Sequence, residues 1–93
     1  MEKNFELGQL VSTRRVADMA QKKPDFQKEL EDILHRYISC DWGDSDEEDT
    51  KANVQAIDIG NRIFATYNTS LGKIFVITEA DRSVTTILFS NEY

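Results

Sequence analysis

Apolar positions recur at helical spacing through the first two thirds of the chain and change to strand-like runs in the last third. The clearest repeat is Phe26, Leu30, Ile33, Leu34, Tyr37 and Ile38, at i, i+4, i+7, i+8, i+11 and i+12. Side chains at that spacing share one side of a helix, so the pattern predicts an amphipathic helix over 25–39. Pro24 suits its first turn, where no N–H is needed. Upstream, Ser12 or Thr13 can cap a shorter helix over 14–21 that turns Val16, Ala17 and Ala20 inward. Downstream, Ser45 and Glu48 have capping-box spacing, and Gly60 sits where a left-handed C-terminal residue is wanted. A third helix is therefore expected over 46–59, burying Ala52, Ala56, Ile59 and one of Val54 and Ile57.

After Gly60 the period shortens. Three runs rich in Ile, Val, Thr, Phe and Tyr cover 62–67, 73–78 and 84–89, and loops of about five residues between them fit an antiparallel meander. Ile74-Phe75-Val76-Ile77 is continuously apolar, which predicts a central strand covered on both faces. Residues 7–11 are the candidate for a fourth, edge strand. The expected fold class is α+β: about three helices (14–21, 25–39, 46–59) on one face of a three- or four-stranded antiparallel sheet, in one domain over 1–93.

Composition agrees with a small globular domain, at 93 residues, 40% apolar and 10% aromatic. Charge changes the picture more. Residues 1–40 carry seven basic and seven acidic side chains, whereas 41–93 carry four and ten, so the later part holds the whole net charge of −6. A nucleic-acid binder relies on a basic stripe that neutralises phosphates, and none is present, so direct nucleic-acid binding is not expected. A basic protein surface is the expected partner. The single Cys40 excludes an internal disulfide and fits a reducing compartment. Residues 1–5 are too polar for a signal peptide, and no apolar run approaches the ~20 residues of a membrane span. The expected location is the cytoplasm, with no membrane contact.

The strongest local departure from ordinary composition is Asp41-Trp42-Gly43-Asp44-Ser45-Asp46-Glu47-Glu48-Asp49, six carboxylates around the only tryptophan. Carboxylates in a helix's first turn interact favourably with its dipole, by ~0.3–1 kcal/mol each before mutual repulsion. That accounts for part of the 46–49 block but not for Asp41 and Asp44. The surplus points to a surface for a basic partner, with Trp42 as either a core plug or an interface anchor. Calcium is disfavoured, because the spacing lacks the alternating ligands, central glycine and distal glutamate of an EF-hand loop. His35 and Cys40, five apart on a helix, diverge by about 140° and make no nucleophile pair. Glu79, Asp81 and Arg82 cluster before the last strand, where acid–base or phosphate chemistry competes with a solvated turn. No metal or cofactor is expected.

Several stretches together carry a resemblance: Phe5-Glu6-Leu7-Gly8; Asp41-Trp42-Gly43 with Glu48-Asp49 and Asn53; Thr78-Glu79-Ala80-Asp81-Arg82-Ser83 with Thr85-Thr86; and Glu92-Tyr93. The set resembles a family of small bacterial "plasmid-related" proteins carried by plasmids, prophages and integrative elements. The chain departs from that family's pattern at Tyr37 and Cys40, where histidine and glycine are expected. The resemblance implies a genetic setting in which small acidic proteins serve as anti-CRISPR and anti-restriction inhibitors. On this basis the chain is expected to be a non-enzymatic inhibitor of a nucleic-acid-handling defence complex. Its expected contacts are Asp41, Trp42, Asp44, Asp46, Glu47, Glu48 and Asp49, with Glu79 and Asp81 as additions. The alternative is an accessory protein of a mobile element that binds through its sheet, as a dimer in one version. An enzyme using Glu79, Asp81, Arg82 and His35 is the third reading.

Overall fold

The structure, a computed structural model, describes residues 5–93; residues 1–4, on which the signal-peptide expectation partly rests, lie outside the description. The elements are β1 (Gln9–Ser12), α1 (Arg14–Lys22), α2 (Pro24–Ile38), α3 (Glu47–Ile59), β2 (Ile63–Thr69), β3 (Gly72–Thr78) and β4 (Val84–Phe89), followed by a 3-10 turn at Ser90–Glu92. The fold is α+β, with strand order β1-β4-β3-β2. Alternation along the strands sends Ile63, Ala65 and Tyr67, then Ile74 and Val76, then Ile87 and Phe89 into one core. Phe26, Leu30, Ile33 and Tyr37 of α2 meet them there, as the helical repeat predicts. No helix among the described residues is long and apolar enough to cross a membrane.

The sheet is mixed, not antiparallel throughout. β2, β3 and β4 form the expected meander, but β1 pairs parallel to β4. A short hairpin fixes the direction of the strands it joins; β1 is separated from β4 by the helices and two strands, so no turn dictates its sense. The β2–β3 connection is also tighter than expected, because Thr69 still pairs with Gly72. β3 is interior as predicted, but its second face carries only a partial cover, an aromatic cluster of Phe64, Phe75 and Tyr93.

Helix faces differ from expectation in two places. In α1, Val16 is buried and Met19 and Ala20 are half-buried, whereas Ala17 is exposed. In α3 the buried residues are Asn53 and Ala56, with Ile57 half-buried; Ala52, Val54 and Ile59 face solvent. The N-cap of α3 is Asp46, whose carboxylate accepts from the Asp49 amide at 2.7 Å, and no Ser45–Glu48 box forms. Gly60 ends the helix in the left-handed conformation, as expected.

α2 ends in a Schellman motif, with the Asp41 amide donating to the Arg36 carbonyl (2.8 Å) and the Cys40 amide to Tyr37 (3.1 Å). Cys40 holds the left-handed position at φ 64°. A side chain there costs ~1–2 kcal/mol, while glycine costs up to ~1 kcal/mol in unfolded-chain entropy. Cys40→Gly is therefore expected to raise stability by about 0.5–1 kcal/mol, and β-branched Cys40→Val to lower it. Urea unfolding of both variants checks this, and a destabilised glycine variant would refute the strain.

Candidate protein-binding surface

The acidic segment is tied residue by residue to the fold. As α2 ends, Asp41 turns back on the helix: Arg36 Nε and Nη2 donate to its two carboxylate oxygens at 2.9 and 3.3 Å. The Gly43 amide donates to the same carboxylate at 3.1 Å, and the Asp41 carbonyl accepts from the Tyr67 hydroxyl at 2.7 Å. The Arg36 guanidinium also lies over the Tyr67 ring. Its hydrogen bonds hold the Asp41 carboxyl below the usual carboxylate range and push Arg36 up. The charge of Asp41 therefore persists into acid, and the stability it contributes is lost only as pH falls below the carboxylate range.

Trp42 is a core residue, 5% exposed and packed between Phe5 and Tyr37. Its indole N–H is buried without a hydrogen-bond partner among the described residues. It plugs the corner between α2 and β2 and is not an exposed anchor. Asp44 then runs alongside β2: its amide donates to the Thr66 carbonyl at 2.7 Å, and its carboxylate accepts from the Asn68 amide at 2.9 Å. The Ser45 hydroxyl accepts from the Thr66 amide at 3.0 Å and donates to the Trp42 carbonyl at 2.7 Å. Along α3, the Asn53 carboxamide exchanges both its hydrogen bonds with the Phe64 backbone, at 2.8 and 3.0 Å. Every second residue of β2 is thus met by Asn53, Ser45 or Asp44, and this outer edge of the sheet is sealed.

Four carboxylates follow at the start of α3. Asp46 is committed to the cap, Glu47 pairs with Lys51 at 3.2 Å in solvent, and Glu48 and Asp49 have no side-chain partner among the described residues. The six carboxylates from Asp41 to Asp49 remain exposed at one end of the molecule.

Glu79 and Asp81 do not join them. They sit in the β3–β4 loop, whose Arg82 reaches the other end of α3, about 20 Å away by helix length. There Arg82 Nη1 donates to the Asn61 and Glu79 carbonyls at 2.7 and 3.2 Å, and Nη2 to Ala56 at 2.9 Å. A cation on the last carbonyls of a helix complements its dipole, so this arginine caps α3 from outside. Asp81 accepts from the hydroxyl and amide of Ser83, which hold its carboxyl below the usual range. Glu79 only approaches Arg62, at 3.9 Å. This tip is loop architecture in which the arginine faces backbone carbonyls rather than a carboxylate pair. His35 lies exposed on α2, and burial pushes the half-buried Cys40 thiol up. Among the described residues no group of three His, Cys, Asp or Glu side chains could hold a metal ion.

Sequence reasoning missed Ser45 and Asn53 as edge partners. The signal was there for Asn53, a polar residue at a helical position one turn before Ala56. No family model, curated protein or solved structure matches the chain.

Proposed function

We propose that the chain is a non-enzymatic, cytoplasmic inhibitor that binds a basic protein surface of a nucleic-acid-handling defence complex, of the anti-CRISPR kind. The carboxylates of Asp41, Asp44, Asp46, Glu47, Glu48 and Asp49 are its contact groups. The supporting observation is that Asp41, Asp44 and Asp46 each accept a backbone amide and still face solvent. Their spacing is set before any partner arrives, which lowers the ordering cost of association. Glu47, Glu48 and Asp49 extend the same negative end. A groove lined with Arg and Lys for phosphates would accept such an array, with association that weakens as salt rises. The resemblance to mobile-element proteins supplies the setting.

Glu47→Ser/Glu48→Ser/Asp49→Ser leaves the Asp46 cap and the 41–45 loop untouched. It is expected to keep the fold and to weaken inhibition at least ~10-fold. The measurement is competition against labelled DNA on purified, guide-loaded CRISPR effectors, at low and physiological salt. Displacement that survives the triple change would sink the acidic-surface reading.

The aromatic cluster favours a second reading, an accessory protein that binds through its sheet, to another protein or to a second copy. Tyr93 packs on Phe64 and Phe75 and is 67% exposed on the face away from the helices. Association there would be nearly independent of salt.

A further inference from the structure

The two edges of the sheet differ in how their backbone groups are met. The β2 edge is closed by Asn53, Ser45 and Asp44. β1 forms the opposite edge, where the Gln9 and Thr13 amides donate to the Ser83 and Ile87 carbonyls of the β4 side, both at 3.0 Å. Alternation then turns the backbone groups of Leu10 and Ser12 outward, on a strand whose Leu10 is 45% exposed. Among the described residues no strand pairs with this edge, and an open edge is a template for another strand that proteins ordinarily blunt. Here an apolar cleft of about 260 Å³ runs beside it, with Leu10, Ala17, Ala20, Leu30 and Leu34 on its walls. A second hollow of about 200 Å³ continues past Leu34 toward Leu7 and His35. Glu31 borders both and is the one charged residue among those lining the first.

We propose that the β1 edge and this cleft form a docking site for an extended segment of a partner protein. The segment adds as a strand beside β1, seats apolar side chains at alternate positions in the cleft, and sets a lysine or arginine against Glu31. Backbone pairing supplies affinity and the cleft supplies specificity, the division of labour of strand addition. Charge decides for a foreign segment over a second copy. Two-fold pairing of β1 with β1 presents the same surface from both sides, so each cleft would bring another Glu31 and no lysine or arginine of its own.

The test pans a displayed library of short random peptides on the full chain. Enriched sequences are expected to alternate apolar residues around a lysine or arginine. Glu31→Lys should weaken a selected peptide by roughly 10-fold, and exchanging the peptide's cation for glutamate should recover binding to that variant. N-methylation along the synthetic peptide should abolish binding at every second amide only. Failure to enrich, absence of alternation, indifference to Glu31→Lys, or tolerance of N-methylation at all positions each overturns the proposal. So does a concentration-dependent dimer in sedimentation that Leu10→Asp converts to monomer, because the edge then belongs to a second copy.

Discussion

Gly43→Ala is expected to destabilise the domain by about 3 kcal/mol or more, a loss large enough to populate unfolded chain at physiological temperature. Two costs add. Gly43 sits at φ 67°, where any side chain costs ~1–2 kcal/mol. A methyl group there would also overlap the edge of the Tyr67 ring and lie 2.6 Å from the Thr66 carbonyl oxygen. Overpacking of that kind costs a further ~1–3 kcal/mol when neighbours cannot move. Tyr67 cannot: it is fully buried, its hydroxyl is held by the Asp41 carbonyl, and Arg36 lies over its ring. Thermal and urea unfolding would check the magnitude, and a loss below about 1 kcal/mol would show that the ring can yield. The same substitution tests the proposed function, because Gly43 seats the loop that fixes Asp41 and Asp44. A variant that stays folded at low temperature should bind its partner more weakly than unfolding alone explains.

That loop marks the boundary of what the sequence discloses. α2 was legible because six apolar residues share one face and all six are buried or half-buried. The meander was legible because short loops join strands of alternating burial. The face of α3 was not, since one of its two buried members is Asn53, and the polarity of a buried carboxamide reads as exposure until its partner at Phe64 is known. The direction of β1 was hidden for a related reason: pairing partners 75 residues apart, such as Gln9 and Val84, leave no local signature. For the surface, contiguity of 41–49 in the chain guaranteed proximity of its charges. It did not reveal which are ordered: Asp41 and Asp44, unexplained by helix chemistry, are held by backbone amides just as the cap residue Asp46 is, and Glu48 and Asp49 are the ones left over. Glu79 and Asp81 were grouped with them by charge alone, and the length of α3 separates them.

Thr78→Val is expected to cost about 2–4 kcal/mol, more than Tyr37→Phe at about 1 kcal/mol, although the tyrosine hydroxyl lies in the same buried chain. The Thr85 hydroxyl donates to the Leu7 carbonyl, which can only accept. Thr85 must then accept from Thr78, and Thr78 from Tyr37, each contact at 2.7 Å and all three side chains fully buried. Direction is thus set from one end. Tyr37→Phe removes only the first donor, and Thr78 keeps its bond to Thr85. Thr78→Val leaves the Tyr37 proton without an acceptor and the Thr85 oxygen without a donor, two buried orphans. Adding Tyr37→Phe to Thr78→Val removes one of them, so the double variant should be no less stable than Thr78→Val alone. A double variant with additive losses would refute the directed chain. The same burial pushes the Tyr37 and Tyr67 hydroxyls well above the ordinary tyrosine range. Their neutral forms are favoured by folding, so their contribution is intact below about pH 10 and falls as pH rises beyond the unfolded value. Above it, two withheld protons should make stability decline by roughly 2.7 kcal/mol per pH unit, and Tyr37→Phe should halve that slope. Phenolate absorbance followed together with circular dichroism would show buried tyrosines titrating only as the fold is lost.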